Sequence, residues 1–444
     1  MTQFTKNLLA STALFATALM PAHAELDVAH LKTVIETSVE SDYPKLDALY
    51  KDIHAHPELA FQEVKTAAKL ATEMREIGFE VTEKVGKTGL VAIYKNGDGP
   101  TIMVRTELDA LPMEEKTELP YASHDKTTWR GRETFVAHSC GHDIHMASWV
   151  GTAKTLVGLK DQWHGTLMFI AQPAEEITEG AKAMLADGLY TRFAKPDVVF
   201  GLHDGPGAYG TIYYRAGIGS SISDGLQITF HGRGGHGAAP QNTVDPVMIA
   251  ARFIVDVQSV ISREKDPTEF GVLSIGAIHG GTAGNIIPDD VFVAGTIRSY
   301  KLEVRSKMWA GITRTAKEAA AMSDAPAPDI KINEGSKAVM NDADVVAITA
   351  KVLKAAFGDK VRPSPPVTAS EDFSEFVDAG VPGMFFNIGV YDPERVAAAR
   401  AGGVPLPGNH SPLFAPVPKP TIETGVEAMT LAVLSAFDER ARGK

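Results

Sequence analysis

The densest group of potentially reactive side chains is the segment His138-Ser139-Cys140-Gly141-His142-Asp143. Cys140 and His142 lie two positions apart, with a glycine between them, immediately before a predicted helix. Thiolate and imidazole both bind Zn²⁺ or a related transition metal, and neighbouring side chains of a loop can converge on one ion. A structural zinc site usually takes four Cys or His ligands, whereas this chain has one cysteine. The segment therefore predicts an open or dinuclear site completed by carboxylates; the alternative is a buried cysteine beside a helix-capping Asp143.

A pair of adjacent carboxylates follows a predicted buried strand, in Gln172-Pro173-Ala174-Glu175-Glu176. Open α/β sheets bind their ligands at the carboxyl ends of the strands. Adjacent residues of an extended segment point in opposite directions, so one carboxylate can bind a metal while the other faces a water molecule. A metal ligand beside a general base is the arrangement that a hydrolase needs. The alternative is an ordinary acidic helix start, because Glu is favoured in a first turn.

Two isolated histidines could add ligands to the same site. His203 follows a predicted strand at 198–202, and His410 follows a loop rich in glycine and proline. Ends of strands that are distant in sequence meet at one edge of a sheet, so His203 could reach the other candidates. Single histidines are more often structural, so His203 and His410 are ligand candidates only in combination with the first two segments.

Short apolar runs alternate with helical stretches along the chain. The runs 101–104, 166–171 and 197–202 are typical of buried strands, and their alternation with helices predicts an α/β fold with helices on both faces of a sheet. Between 218 and 333 the predicted order becomes strand, helix, two strands, helix, strand, which is a ferredoxin-like α+β unit. We therefore predict a catalytic domain in two parts, 25–217 and 334–444, with a second domain inserted at 218–333.

The first 24 residues have the pattern of a signal peptide. Lys6 precedes an apolar stretch too short to span a bilayer, and Ala22-His23-Ala24 matches the small-x-small cleavage pattern. The alternative is a short buried helix. We expect cleavage after Ala24 and export to the periplasm or the medium, and no later apolar run is long enough to cross a membrane. In an exported protein the single cysteine has no internal disulfide partner, so Cys140 would be inert and buried, a nucleophile or a metal ligand.

The composition is that of an ordinary globular protein, with 44% hydrophobic and 22% charged residues. A chain of 444 residues is longer than one hydrophobic core usually serves, which again predicts two domains. The net charge of −12 argues against nucleic acid or an anionic membrane surface as a partner.

Taken together, the motifs resemble the family of co-catalytic metallopeptidases that includes aminoacylases, hippurate hydrolases, plant auxin–amino-acid conjugate hydrolases and some carboxypeptidases. The resemblance covers nearly the whole chain after the signal segment. It rests on motifs in the family's order: His54 to Leu59, Thr88 to Leu90, Arg105 to Pro112, His138 to Asp143, Gln172 to Glu176 with Gly180-Ala181, Gly201 to His203, His231 to Pro240, Gly280 to Pro288, Ser370 to Phe373 and His410 to Pro412.

The resemblance implies a mixed-sheet metallopeptidase domain with an inserted ferredoxin-like domain, and a role for each of ten residues. The implied ligands of two divalent ions, zinc or manganese, are Cys140, His142, Glu176, His203 and His410. Cysteine would take the bridging position, as in the N-acyl-amino-acid hydrolase branch. Glu175 would be the general base and Asp109 a carboxylate that orients a ligand. In the inserted domain His236 would reach the substrate carbonyl, and Asn285 and Arg298 would hold the polar end of the substrate.

The implied activity is metal-dependent hydrolysis of hippurate-like N-acyl amino acids to a carboxylic acid and a free amino acid. Many relatives dimerise through the inserted domain, which implies a homodimer here. Three alternatives stay open. One is a carboxypeptidase or dipeptidase on the same scaffold, acting on short peptides. The others are a non-catalytic binding protein of the same fold and a hydrolase in which Cys140 is the nucleophile.

One motif departs from the family pattern. The branch usually has Arg-Ala-Asp-Met-Asp before Ala-Leu-Pro, whereas this chain has Arg105-Thr106-Glu107-Leu108-Asp109. The longer Glu107 would shift either the metal environment or the substrate preference. Of the remaining polar residues, we expect His54 to organise a helix entry and His145 to lack convergent partners. Residues 371 and 372 would give structural support near the site.

Overall fold

The computed structural model describes residues 26–442, so the predicted signal segment lies outside the described residues. The helices are α1 (Val28–Ala55), α2 (Val64–Ile77), α3 (His142–Gly158), α4 (Gly180–Ala186), α5 (Leu189–Arg192), α6 (Pro246–Asp256), α7 (Leu302–Ala321), α8 (Ala343–Phe357), α9 (Ser374–Asp378), α10 (Pro393–Arg400) and α11 (Pro418–Arg442). The strands are β1 (Glu80–Val85), β2 (Gly89–Asn96), β3 (Thr101–Glu107), β4 (Lys126–Trp129), β5 (Arg132–Phe135), β6 (Gly165–Gln172), β7 (Val198–Ala208), β8 (Ile212–Tyr214), β9 (Gly217–Ile218), β10 (Ile222–His231), β11 (Gly235–His236), β12 (Gly271–His279), β13 (Ile286–Ile287), β14 (Asp290–Ser299), β15 (Asp329–Glu334), β16 (Met340–Asn341), β17 (Val361–Pro363) and β18 (Gly383–Tyr391).

Eight strands form the main sheet, in the order β1-β2-β6-β3-β7-β18-β8-β17. The four central strands β6, β3, β7 and β18 run parallel to one another, whereas β2 pairs antiparallel with β6 and β8 antiparallel with β18. The sheet is therefore mixed, which confirms the predicted α/β class. Because the central strands are parallel, their carboxyl ends lie along one edge, and chain segments that leave those ends can share a site.

Helices cover both faces of the main sheet, because its central strands are apolar on both sides. Along β6, Leu167 and Phe169 belong to one buried cluster and Met168 and Ile170 to another, as alternation along a strand requires. The first cluster packs under α1, α3, α8 and α11, and the second packs under α4 and α9. The long run of consecutive apolar residues predicted this two-sided burial.

A second sheet is built by residues 222–334, in the antiparallel order β12-β14-β10-β15. Its elements follow one another as strand, helix, two strands, helix, strand, and α6 and α7 pack on one face over a buried cluster of their own. Helix α6 begins at a proline whose preceding Asp245 accepts hydrogen bonds from the N–H groups of Val247 and Met248. The domain boundaries at 218 and 333 stay predictions. Among the described residues, no helix combines the length and apolar character that a membrane span requires.

Candidate metal centre

Five side chains with metal-binding atoms converge near the carboxyl edge of the main sheet. Cys140 lies in the turn before α3, and His142 is the first residue of that helix. Glu176 follows the end of β6, and His203 lies within β7, the next strand but one. His410 comes from the loop that precedes α11. The structure thus brings together all five of the ligands that the sequence predicted.

The distances among these five side chains are short enough for shared ions. Sγ of Cys140 is 3.5 Å from Nε2 of His203, and Nε2 of His410 is 3.3 Å from Oε2 of Glu176. Nε2 of His142 is 3.9 Å from Oε1 of Glu176. Two sets of three, Cys140 with His142 and His203 and Cys140 with Glu176 and His410, each have their ligand atoms within 4.8 Å of one another. Cys140 belongs to both sets, which places its thiol where one sulfur can serve two ions.

Hydrogen bonds to the backbone orient two of the imidazole rings, and two buried ligand atoms of the cluster have no partner in the part of the chain that the structure describes. Nδ1 of His142 donates to the backbone oxygen of Asp109 at 2.7 Å, and Nδ1 of His203 donates to the backbone oxygen of Asp204 at 2.7 Å. Each ring is thereby fixed with its Nε2 lone pair toward the cluster. Among the described residues, the buried Nε2 of His142 and Oε1 of Glu176 have no hydrogen-bond partner. Buried polar atoms without partners are rare, so these residues fit bound divalent cations.

Gly141, between Cys140 and His142, allows both of these side chains to point toward the cluster. Gly141 precedes the first residue of α3 and has φ +88°, in the left-handed region that favours glycine. A Cβ atom at this position would clash with the carboxylate of Asp204. The glycine therefore lets the chain reverse closely beside Asp204, so that Cys140 and His142 both face the cluster.

The pKa values of the clustered side chains also indicate a site for cations. Burial, reinforced by the charges of Glu371 and Glu176, raises the pKa of Glu175 well above its ordinary value. Burial raises the pKa of Glu176 to about 8. The pKa of the Cys140 thiol is raised by burial and by both glutamates, and burial lowers the pKa of His142. Two divalent ions would offset the repulsion and would stabilise thiolate and carboxylate, because a bound cation inverts the local preference.

Comparison with known proteins agrees with this geometry. Residues 103–400 match the profile of the peptidase family M20/M25/M40. The chain belongs to this family. A hippurate hydrolase of Campylobacter jejuni is 38% identical over 340 residues, covering 75% of this chain and 85% of that protein. Thermostable carboxypeptidase 2 of Saccharolobus solfataricus is 35% identical over 351 residues, covering 78% and 86%.

A solved structure of an M20 peptidase extends the likeness to the metal centre. It is described as a dinuclear metal-binding peptidase of Bacillus subtilis, and it superposes with a TM-score of 0.73 at 28% identity, covering 90% of this chain and 99% of its own. Family membership confirms the predicted resemblance, the metallopeptidase fold and the use of two divalent ions. As a member of this family, the chain is itself a metal-dependent hydrolase of amide bonds.

Two buried carboxylates hold the segment that carries Glu175 and Glu176. The carboxylate of Asp109 accepts the backbone N–H groups of both glutamates at 2.9 Å. Glu63 accepts the N–H of Ala174 at 2.8 Å and the hydroxyl of Thr88. Asp109 was predicted to orient a ligand, and the structure places its backbone oxygen, rather than its carboxylate, on the ring of His142. Its carboxylate instead positions the two glutamates.

Glu63 was not among the predicted site residues, and we expect its truncation to slow the reaction. Ala174 has φ +51°, an unfavourable backbone angle for a residue with a side chain, so its conformation needs support. Glu63→Ala should lower kcat about 10-fold, because a small displacement of a catalytic group is costly, and should change KM less. Glu63→Gln should restore most of kcat, since its amide oxygen can accept the same N–H. Equal kcat for Glu63→Ala and wild type at full metal content would show that the contact is not needed.

A buried charge network lies behind the metal cluster. Arg105 contacts the carboxylates of Glu107, Glu371 and Asp372, and Nδ1 of His145 lies 2.9 Å from Glu107. Although burial alone would lower it, the charge of Glu107 raises the pKa of His145 to about 10. The prediction that His145 lacks convergent partners is therefore wrong. The support role expected of residues 371 and 372 agrees with these contacts. The longer Glu107 reaches both Arg105 and His145.

The predicted role of His54 also needs correction. His54 lies in the last turn of α1, not at a helix entry, and is buried between two carboxylates. Its Nδ1 is 2.6 Å from Oδ2 of Asp143 and its Nε2 is 3.0 Å from Oε1 of Glu115. Asp143 does not cap α3, because Gly141 occupies the cap position. The His54–Asp143 contact instead ties the start of α3 to the end of α1.

The predicted substrate residues of the inserted segment do not all lie at the cluster. A cavity of about 820 Å³ is lined by Cys140, Glu175 and His203 of the site, and Arg298 also lines it. His236 and Asn285 are exposed and are not among the described residues that line this cavity. Nδ1 of His236 accepts the N–H of Ala238 at 3.0 Å. Within one chain, therefore, Arg298 faces the cavity and His236 does not.

Proposed function

We propose that the enzyme hydrolyses N-acyl amino acids of the hippurate type, releasing a carboxylic acid and a free amino acid. The observation that carries the proposal is the pairing of a cluster for two ions with Arg298 in one cavity. A guanidinium matches the geometry of a carboxylate, so the free carboxylate of the amino acid has a partner there. The likeness to a hippurate hydrolase over most of the chain supports the same substrate class.

Cys140, His142, Glu176, His203 and His410 would hold the two ions. When bound, the ions would supply a water molecule whose pKa is lowered toward neutrality and would polarise the scissile carbonyl. Glu175 is not one of the five proposed ligands, yet its Oε2 lies 3.9 Å from Nε2 of His142, so we assign the proton transfers to it. Its carboxylate takes a proton from the attacking water and delivers it to the nitrogen of the leaving amine. Arg298 orients the substrate by its carboxylate.

The experiment that tests the substrate class is a hydrolysis panel with added Mn²⁺, Zn²⁺ or Co²⁺. We expect N-benzoyl and N-acetyl amino acids to be cleaved with higher kcat/KM than dipeptides of the same C-terminal residue. The second candidate function is that of a carboxypeptidase or dipeptidase, which the 35% identity to a carboxypeptidase favours. Faster cleavage of the dipeptides would establish that function instead.

We also propose that the enzyme is a homodimer in which each subunit completes the other's site. Apolar side chains are exposed on α6 and β12, including Val255 at 70% and Ile278 at 50% exposure. Strand β12 is an edge of the second sheet, and an exposed apolar edge is a natural pairing surface. An interface there would bury these side chains and would give the exposed His236 a route to another subunit's cavity.

A mixing experiment tests whether the site is shared. His236→Ala should lower kcat on the order of 10²-fold, as loss of one donor to a developing oxyanion does, without loss of metal. Mixed with Glu175→Gln, it should recover roughly a quarter of wild-type activity, because half of randomly formed dimers carry one intact site. A dimer that shows no recovery would mean that His236 acts within its own subunit. Near-normal activity of His236→Ala alone would remove it from catalysis.

Export is part of the proposal, on the strength of Lys6, the apolar stretch after it and Ala22-His23-Ala24. The full chain expressed in a bacterial host should be recovered with Glu25 as its first residue. An N-terminus at Met1 or Thr2 would contradict processing.

A further inference from the structure

Two arginines from different parts of the chain line the same cavity. Arg215 directly follows β8, and Arg298 lies near the end of β14 in the second sheet. Among the described residues, the buried Nε of Arg215 and the buried Nη1 of Arg298 have no hydrogen-bond partner. An arginine always carries its charge and five N–H donors, so an unpartnered buried donor calls for an acceptor.

The loop at 364–367 is contacted by Arg215 and by Tyr300, a neighbour of Arg298 in sequence. Nη1 of Arg215 donates to the backbone oxygen of Ser364 at 3.3 Å. Tyr300, two residues after Arg298, donates its hydroxyl to the backbone oxygen of Pro366 at 3.1 Å. Burial raises the pKa of Tyr300, and the charge of Arg215 opposes that rise. The two arginines thus border one cavity together with this loop, Arg215 after a strand of the main sheet and Arg298 on a strand of the second sheet.

The protein's own carboxylates do not satisfy this pair. Among the described residues, no carboxylate forms an ion pair with Arg215 or Arg298. The negative charge of Asp224 acts on Arg298, but Oδ1 of Asp224 already accepts a hydrogen bond from Nη2 of Arg305 at 2.6 Å. The acidic residues that line the cavity are Glu175, Glu176, Asp204 and Glu371, and these belong to the metal cluster and the charge network behind it. In a protein of net charge −12, the cavity of the metal cluster is thus also lined by Arg215 and Arg298, which have buried unpartnered N–H groups, and by the exposed Arg400.

We propose that the preferred substrate carries two carboxylates, as an N-acyl glutamate or aspartate does. Arg298 binds the α-carboxylate, as in the proposed function on which this inference rests, and Arg215 binds the carboxylate of the side chain. One guanidinium is enough for one carboxylate, so the buried unpartnered Nε of Arg215 in the same cavity calls for a second anion. Arg215 is then a specificity-determining residue.

The test compares N-benzoyl-glutamate with N-benzoyl-glutamine, which differ only in the charge of the side chain. Wild type should have a kcat/KM for the glutamate compound higher by on the order of 10- to 100-fold, the range of a charge-assisted hydrogen bond. Arg215→Gln should bring the ratio close to one while kcat/KM for the glutamine compound stays within about 2-fold. Arg215→Lys keeps the charge and should retain part of the preference.

Arg362 provides a matched control. It lies on β17, donates to one backbone oxygen as Arg215 does, and is exposed outside the residues that line the cavity. Arg362→Gln should leave the ratio unchanged.

The proposal is overturned if wild type shows no preference for the glutamate compound, whatever the variants do. It is also overturned if Arg215→Gln lowers kcat/KM equally for both compounds, since Arg215 would then serve their common part. If neither N-benzoyl compound is cleaved but alanyl-glutamate and alanyl-glutamine are, the proposed N-acyl function fails. The glutamate-to-glutamine ratio measured on those dipeptides then decides the role of Arg215 independently.

Discussion

Removal of the metal ions should bring hydrolysis down to the uncatalysed rate, and added Mn²⁺, Zn²⁺ or Co²⁺ should restore it. The chain's own groups offer no strong nucleophile once the ions are gone. Burial and the charges of Glu176 and Glu175 raise the pKa of Cys140, so the metal-free thiol stays protonated. Without a cation, no group of the cluster acidifies water. The measurement is kcat after dialysis against a chelator, then after titration with each ion.

A cysteine hydrolase would behave differently in that experiment. If Cys140 were the nucleophile, chelation would leave activity unchanged, and that outcome would contradict the metal assignment. Inactivation by a thiol reagent alone does not distinguish the two mechanisms, because a modified ligand also stops binding metal.

Metal removal should also change how stability depends on pH. In the metal-free protein, burial raises the pKa of Glu176 to about 8 from an ordinary value of 4.5. The native state then binds a proton that the unfolded state has released, so stability falls as pH rises from about 5 to about 8. Bound ions should remove this slope, since they favour the ionised carboxylate. Melting temperatures of the metal-free and metal-loaded protein at pH 5, 6.5 and 8 check this, and parallel profiles would contradict it.

Glu175→Gln should lower kcat by about 10²- to 10⁴-fold, the usual contribution of a general base. Glutamine keeps the size of the side chain, and the backbone N–H of residue 175 can still donate to Asp109. Metal content should stay near that of wild type, because the five proposed ligands are unchanged. KM should change little, since the proposed contact between Arg298 and the substrate carboxylate is unaltered.

Glu176→Gln is the matched comparison for Glu175→Gln. The two residues are adjacent and buried, and both are held by Asp109, yet only Glu176 is a proposed ligand. Glu176→Gln should therefore lose metal affinity together with activity. If Glu175→Gln loses metal, or if it keeps substantial turnover, the assignment of the base is wrong.

Part of the convergence of the five proposed ligands was predictable, because two of them stand at or beside strand ends. Glu176 and His203 each stand at or beside an apolar run that the sequence marks as a buried strand, and parallel strands bring such positions together. Cys140 and His142 carry their own signal in the spacing around Gly141. His410 carries little signal of its own, and its placement follows from the resemblance to the family.

The supporting contacts could not be predicted from one sequence. Glu63 bonds to Ala174 across 111 positions, and Arg105 meets Glu371 across 266 positions. Arg105 and Glu371 each lie in a family motif, but no motif or periodicity shows that the members of either pair meet, because each contact depends on how distant segments pack. His145 was misjudged for the same reason: its partner Glu107 is on β3, 38 positions earlier. In the proposed homodimer, the catalytic position of His236 depends on a second subunit, which the sequence of one chain does not describe.

The spread of the proposed ligands along the chain decides when the metal centre can be made. Asn409, the neighbour of His410, donates a hydrogen bond to the backbone oxygen of Cys140 across 269 positions. The first ligands are thus synthesised long before the last, and the whole second sheet is made between them. A nascent chain on the ribosome has no complete site to load. Completion of the proposed metal centre is therefore a post-translational event, and the metals available where the finished chain folds contribute, with the ligand types, to which ion is bound.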